Sequence, residues 1–386
     1  MSPRRSPIAA TTFLLILAVA AVVGTGLGLL VQRLDDDSDG GSGPTTTVAL
    51  DPDLPDSPEA LWMFGSQTLR TNSALSAPAI VPVEMFGVVD GATGSVHSWS
   101  VSTAEFRVLD TGENAVTTVA DVDLTGDVDP ETAPILASVP GAAWIVTGPD
   151  TLARVDATSG GVTAETTLPA SFTGLADGAQ VLATRVVAFA DTVTAVFDVS
   201  TSDGAVAVGL ASIDATSGEI RTVAALTERA TTGVDLVAAG EDAVWLVVDG
   251  SLVRVTATDL VETGRLTLAD SELGARFDAL LAVGDDAWLV NRDGPTLSRI
   301  GPSLDSGGSV RLAEAGDDVA DAPTTAVTGD NRVYALLQRT DGSSIVASVD
   351  IDTLSVERRI GLPAGDLIAA LAYSAAPEPE QQEVLQ

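Results

Sequence analysis

One feature constrains this chain more than any other: an aromatic residue followed by two aliphatic ones returns at near-constant spacing along most of its length. Trp144-Ile145-Val146, Trp245-Leu246-Val247, Trp288-Leu289-Val290 and Tyr334-Ala335-Leu336 align directly, and Trp62, Trp99 and Phe197 extend the series. Successive members lie 37, 45, 53, 48, 43 and 46 residues apart. Self-similarity at such a period marks stacked supersecondary units, none of which can bury its apolar face alone. The units are built of short Val- and Ala-rich runs broken by Gly and Asp, with no sustained 3.6-residue period, so they are strands rather than helices.

Turn chemistry recurs in the same order in each unit. Ahead of the aromatic stand Gly240-Glu241-Asp242, Gly284-Asp285-Asp286 and Gly329-Asp330-Asn331. After it come Asp203-Gly204, Asp249-Gly250, Asp293-Gly294 and Asp341-Gly342, the dipeptide that type I′ hairpins favour because both central residues need positive φ. A third turn follows at Asp156-Ala157-Thr158-Ser159-Gly160, Asp214-Ala215-Thr216-Ser217-Gly218 and Asp350-Ile351-Asp352-Thr353. Three turns joining four strands make one blade of a propeller. Seven units are counted, and six or eight stay open because those around Trp99 and Phe197 are irregular. The first unit lacks a leading strand while the chain ends on an orphan one, Leu367 to Tyr373, which predicts that this last strand completes the first blade and closes the ring.

A Val-Asp strand end followed by a Ser/Thr-Gly turn resembles the quinoprotein-like and YVTN-like β-propeller repeats, over roughly Glu59 to Ser374. The resemblance implies the fold and leaves the function open. Quinoprotein repeats often place a tryptophan after this turn; here Gly160 and Gly218 are followed by Gly161-Val162-Thr163 and Glu219-Ile220-Arg221, so no quinone cofactor is predicted.

The expected organisation is a cytoplasmic stub (1–7), a transmembrane helix (8–31), a disordered acidic linker (32–58), a propeller ectodomain (59–374) and a disordered tail (375–386). Ile8 to Val31 carries no charge, and 24 residues of helix span about 36 Å against roughly 30 Å of hydrocarbon. Arg4 and Arg5 precede it and Asp35, Asp36 and Asp37 follow Arg33, so the positive-inside rule sets the propeller outside the cytoplasm. A signal peptide cleaved near Ala18-Val19-Ala20 is the competing reading, but the apolar run continues well past that point. Gly24 and Gly28 form a small-xxx-small pair that would let two such helices approach.

Charge and composition exclude several functions. With 54 acidic and 19 basic residues, every basic one Arg, the net charge of −35 repels phosphate backbones and rules against nucleic-acid binding. The absence of Lys with abundant Ala, Val, Gly, Asp and Thr is a composition of the high-GC, actinobacterial type, and salt adaptation is a second reading. Without cysteine there is no disulfide, thiolate metal site, cysteine nucleophile or lipid-modified cysteine. His97 is the sole histidine; flanked by Ser95, Ser98 and Ser100 in a strand, it reads as a surface or hairpin residue rather than a catalytic base.

The remaining candidates have plain alternatives. Asp35, Asp37, Asp39 and Gly40 imitate the start of a calcium loop, but Thr46 stands where a bidentate Glu belongs, so a solvated stalk is favoured. Acidic turns such as Asp285-Asp286 and Asp317-Asp318 leave Ca²⁺ as the one cofactor to consider, against the commoner role of solvated loops. Paired carboxylates for glycoside hydrolysis are not singled out, and sialidase-type turns are absent. Trp144, Trp245 and Trp288, apolar on both flanks, are expected to fill space between blades rather than stack a ligand. The expected function is non-enzymatic: a membrane-tethered extracytoplasmic propeller binding a protein or cell-envelope ligand. The rival is a carboxylate-dependent envelope hydrolase or lyase at the central channel.

Overall fold

The computed structural model describes residues 45–49 and, apart from short stretches of which 120–135 and 170–179 are the longest, residues 60–375; these belong to a compact unit running from Ser42 to Gln386. Among the described residues the strands form seven antiparallel sheets, the blades of a propeller. Counting strands a to d outward from the channel, blade 3 is Leu136–Val139, Ala142–Val146, Thr151–Asp156 and Val162–Thr167. Blade 4 is Gln180–Phe189, Thr192–Ser200, Val206–Asp214 and Ile220–Ala225, and blade 5 is Val234–Ala239, Ala243–Val248, Ser251–Thr256 and Glu262–Thr267. Blade 6 is Phe277–Val283, Asp286–Asn291, Thr296–Ile300 and Ser306–Arg311; blade 7 is Thr325–Gly329, Arg332–Gln338, Ser344–Asp350 and Ser355–Leu362.

The ring closes as the orphan strand predicts. Blade 1 takes Ile368–Ser374 as strand a, beside Ala60–Gly65, Thr68–Thr71 and Ala79–Val81. Trp62 Nε1 donates to Ser374 Oγ at 3.1 Å across the two ends of the chain, and Tyr373 stacks on Tyr334 of blade 7 with centroids 5.8 Å apart. Each strand a then neighbours the strand a of the next blade all the way round, so the ring of inner strands is closed.

Blade 2, formed by Val88–Ala92, Ser95–Ser100, Glu105–Asp110 and Ala115–Val119, departs from the expected four strands. A fifth, Thr45–Ala49, pairs with Ala115–Val119. Those five residues fall inside the stretch read from sequence as a disordered linker. Their composition explains the difference, since Thr-Thr-Thr-Val-Ala is β-prone and the outer strand of a blade offers a row of unpaired backbone groups. The predicted membrane helix with its glycine pair, the Asp35 to Asp39 cluster and the tail after Ala375 lie outside the described residues. No helix among the described residues is long and apolar enough to cross a membrane.

Turns follow the sequence in kind but not everywhere in type. Asp249 (φ 46°) and Gly250 (φ 71°) make the expected I′ pair, and Asp330 (φ 49°) with Asn331 (φ 57°) makes another between Gly329 and Arg332. At Asp341-Gly342 only the glycine has positive φ. Asp293 and Gly294 have none, because they sit inside the longer loop joining Asn291 to Thr296. Asp203-Gly204 lies outside the described residues. The third turn is held by its aspartate: Asp156 Oδ1 accepts the N–H of Thr158 (3.1 Å) and of Ser159 (2.8 Å), and Asp214 does the same for Thr216 and Ser217. The peptide N–H of Ser159, first among its donors, holds the Asp156 carboxyl below the usual range.

Register defines which aromatics are equivalent. Counting from the a–b turn or its counterpart, Trp62, Trp144, Trp245, Trp288 and Tyr334 are each the third residue of strand b, fully buried and packed against the following blade. Opposite them on strand c stand Arg70, Arg154, Arg254 and Arg299, with Ser348 facing Tyr334. Three of these guanidinium groups lie over their Trp rings at 5.3 to 5.8 Å. Two members of the aligned series do not belong. The third residue of strand b in blade 2 is His97, with Trp99 two places further on the same face. In blade 4 it is Thr194, and Phe197 packs against blade 3 on the other face.

Candidate functional site

Among the described residues the a–b and c–d turns gather at one end of the propeller and the b–c turns at the other. At the hairpin end a cavity of about 490 Å³ opens over the central channel, lined by Gly91, Ser138, Phe189, Gly329, Asp330 and Tyr373 of five different blades. Phe189 is 42 % exposed there, whereas the other aromatics among the described residues are buried or half-buried. Gly91 and Gly329 are glycines for a steric reason. A Cβ would stand 2.1 Å from the Tyr373 carbonyl oxygen at the first and 2.2 Å from its ring at the second.

Behind the channel wall lies a buried polar cluster between blades 2 and 3. His97 is not the surface residue the sequence implied: it is fully buried, against Phe106, because its strand position points into the inter-blade core. Ser95 Oγ lies 3.2 Å from Nε2 and Ser138 Oγ 3.0 Å from Nδ1, so both ring nitrogens are engaged. Burial lowers the imidazole pKa to about 4, leaving it neutral at pH 7. Asp90 accepts the backbone N–H of Ser138 at 2.8 Å and of Gly91 at 2.9 Å, yet its burial raises the carboxyl above the ordinary value. A serine nucleophile needs a histidine oriented by an acid. Here the acid binds a peptide N–H and the histidine lies between two hydroxyls, an arrangement that clips strand Leu136–Val139 to blade 2. Asp278 clips Thr324 N–H at 2.9 Å between blades 6 and 7 in the same way, while pairing with Arg292.

The opposite end carries charge. A cleft of about 290 Å³ between blades 5 and 6 is lined by Asp235, Arg276, Asp278 and Arg292 among others. Arg276 bridges Asp293 (3.2 Å) and Asp321 (2.8 Å). Nearby, burial raises the carboxyls of Asp198 and Asp235, and Arg185 donates to the Asp235 carbonyl. The acidic turns considered for Ca²⁺ are tied to the fold: Asp286 pairs with Arg299, Asp317 with Arg339, and Asp318 accepts the Thr340 hydroxyl at 2.6 Å. Among the described residues no group of three or more His, Cys, Asp or Glu side chains is placed to share a metal ion.

The largest of these cavities, about 530 Å³, lies at the hairpin end between blades 4 and 5. Thr194 and Ser212 line it from blade 4, Val244 and Ala257 from blade 5, and Phe189 with Arg221 stands at its edge. Arg221 is fixed there by Asp214 (2.5 Å), Asp191 (3.2 Å) and Thr192 (2.9 Å). Sequence reading singled out neither Thr194, Ser212 nor Phe189. The available signal was the break in the aromatic series, which aligning Phe197 in place of Thr194 concealed.

No protein-family model matches the chain, and no curated protein matches it. Many solved structures do, at low identity. Apo AztD from Citrobacter koseri is 9 % identical over 83 % of this chain and 99 % of that one, with a TM-score of 0.50. NirN in complex with DHE, described as a dihydro-heme d1 dehydrogenase, is 10 % identical over 83 % and 76 %, TM-score 0.47. BamB from Moraxella catarrhalis is 15 % identical over 71 % and 75 %, TM-score 0.38. At these identities the likeness is one of fold, and the chain is a seven-bladed β-propeller.

Proposed function

We propose that this propeller is a non-enzymatic binding module, tethered to a membrane by Ile8 to Val31, whose hairpin-end face receives a protein or cell-envelope ligand. One observation carries the reading: the channel-mouth cavity and the blade 4–5 cleft share Phe189 and Ala190, so an exposed aromatic sits on the ridge between two adjoining concavities. Concave, mostly apolar surface with a few placed polar groups is what ligand sites are made of. The lone histidine is fully buried in the inter-blade core, out of reach of a ligand at this face, with a serine hydroxyl at each ring nitrogen.

The test is affinity capture from mildly solubilised membranes with full-length protein and with Phe189→Asp. The reading expects one partner retained by the wild type and lost by the variant at unchanged thermal stability. Equal retention by both overturns this face as the binding surface. The rival reading, a carboxylate-dependent hydrolase or lyase, rests on Asp198 and Asp235 at the other end, whose raised carboxyls would suit a general acid. Hydrolysis of envelope glycans lost in Asp235→Asn, and kept in Phe189→Asp, would favour it.

A further inference from the structure

The two ends of the propeller carry their charge differently. Among the described residues the b–c turns include Arg292 and Arg339, which pair with Asp278 and Asp317. The described a–b and c–d turns at the hairpin end contain no arginine. They expose Glu219, Glu241, Asp242, Asp259, Asp285 and Asp305, and none of these carboxylates is ion-paired among the described residues. In a chain of net charge −35, a face left without neutralising cations of its own repels anions and draws in cations.

Negative charge alone does not define a ligand, and the two concavities at this end add a second element. Phe189 stands 42 % exposed on the ridge they share. In the blade 4–5 cleft the ring is joined by Glu241, exposed and unpaired, and at the channel mouth by Asp330, also exposed. An aromatic face beside a carboxylate is the chemistry that holds an ammonium or guanidinium group, the ring by cation–π attraction and the carboxylate by a charge-assisted hydrogen bond. The chain uses the first of these in its own core, where Arg254 and Arg299 lie over Trp245 and Trp288 at 5.8 Å. Around Phe189 the walls are small and apolar, with Ala188 and Ala190 on one side and Ala257 across the cleft, which suits the aliphatic stem of a long cationic side chain.

We propose that the hairpin-end face docks a cationic polypeptide segment, with one arginine or lysine of the partner laid over Phe189 and the basic residues beside it paired with Glu241, Asp242 and Asp285. Charge complementarity sets the sign of the partner, and Phe189 sets the point at which one of its residues is gripped. Association is therefore both salt-dependent and local. The proposal rests on the reading of the hairpin end as the binding face and names the chemistry of what that face receives.

The test uses full-length protein in mild detergent and a fluorescent peptide of alternating arginine and leucine, followed by anisotropy. Saturable binding is expected, weakening as salt rises, while the peptide with glutamate in place of arginine does not bind. Phe189→Ala removes the ring without altering charge and should weaken binding on the order of tenfold. Glu241→Gln with Asp285→Asn should weaken it on the order of fivefold, whereas the same loss of charge in the b–c turns, Asp150→Asn with Asp249→Asn, should change it by less than about twofold. Absence of saturable binding, or a Phe189→Ala variant that binds as the wild type does, overturns the proposal. Equal weakening by the two charge pairs also overturns it, by reducing the effect to general attraction between a polycation and an acidic protein. Partner capture that is lost in Phe189→Asp while this peptide does not bind removes this inference alone; capture indifferent to Phe189→Asp removes the reading beneath it.

Discussion

The interfaces on either side of blade 4 use one scaffold for opposite ends. Towards blade 3, Trp144 and Arg154 fill the gap and converge on the Ala215 carbonyl, leaving a continuous core that also takes in Phe197. Towards blade 5, Thr194 and Ser212 stand at the corresponding positions, buried beneath a cleft rimmed by Phe189, Arg221 and Ala257. The backbones that frame both are alike, with the same hairpins, the same aspartate- or threonine-anchored c–d turn and the same register shift before it, at Arg154/Val155, Ser212/Ile213 and Arg254/Val255. A repeat therefore fixes where blades meet, and the side chain at one strand position decides whether the meeting place is core or pocket.

The largest expected effect breaks that comparison directly. Trp144→Ala removes a fully buried indole and should cost about 3–5 kcal/mol of stability, as deletions of large buried aromatics do. Thr194→Ala at the equivalent position borders an existing cavity and should cost under about 1 kcal/mol. Urea unfolding of the two variants measures the contrast. Comparable losses would mean that the blade 4–5 interface is packed as tightly as its neighbour, and that the cleft is not an open site.

How much of this was legible in the sequence follows from the same position. The fold was readable because each blade repeats a strong local pattern: an aromatic in a Val-rich run, a Gly/Asp turn on either side, and Asp-x-x-Ser/Thr in the third turn, whose side-chain oxygen visibly anchors the backbone at Asp156, Asp214 and Asp350. Ring closure by Ile368–Ser374 was readable because one unit lacked a strand and the end of the chain supplied one. The irregular units were harder. Trp99 and Phe197 carry the same chemistry as the repeat residue but sit two and three places beyond it, and only register separates them from His97 and Thr194. The cleft is made by small residues, which leave no mark in a composition, and His97 was misplaced because alternating serines around it resemble a solvent-facing strand.

A third kind of interface lies between blades 2 and 3, where His97 stands at the repeat position and the buried indole, Trp99, is two places further along the strand. Its imidazole is buried neutral, with a pKa of about 4 against 6.5 in the unfolded chain. Between those values the unfolded state binds the proton and the folded state does not. Stability contributed by keeping the ring neutral is complete above pH 6.5 and falls as pH drops towards 4, by up to about 3 kcal/mol. His97→Phe should flatten the stability profile across that window while leaving any fall below pH 4 in place. A profile of unchanged slope between pH 4 and 6.5 would show that protonation of His97 is not coupled to unfolding.

The smallest effects expected sharpen the comparison at the c–d turns. Asp214 Oδ1 holds the turn that presents Ala215 to Trp144, and its carboxyl is kept well below the usual range by the Ser217 N–H first and then by Arg221. A depressed carboxylate stabilises the fold above its unfolded pKa of about 3.9, and that contribution disappears as pH falls through the lower folded value. Asp214→Ala should therefore lower the melting midpoint modestly at pH 7 and not at all in strong acid, and should also weaken the Trp144 contact, seen as a shift in Trp fluorescence. Thr256→Val removes the matching anchor in blade 5, the acceptance of Val261 N–H at 3.0 Å. Because Ala257 faces a cleft instead of an indole, this variant should change the midpoint least of all and leave intrinsic fluorescence untouched. A fluorescence shift in Thr256→Val as large as in Asp214→Ala would mean that the blade 5 turn already supports an aromatic of the chain's own, and the distinction between the two interfaces would fail.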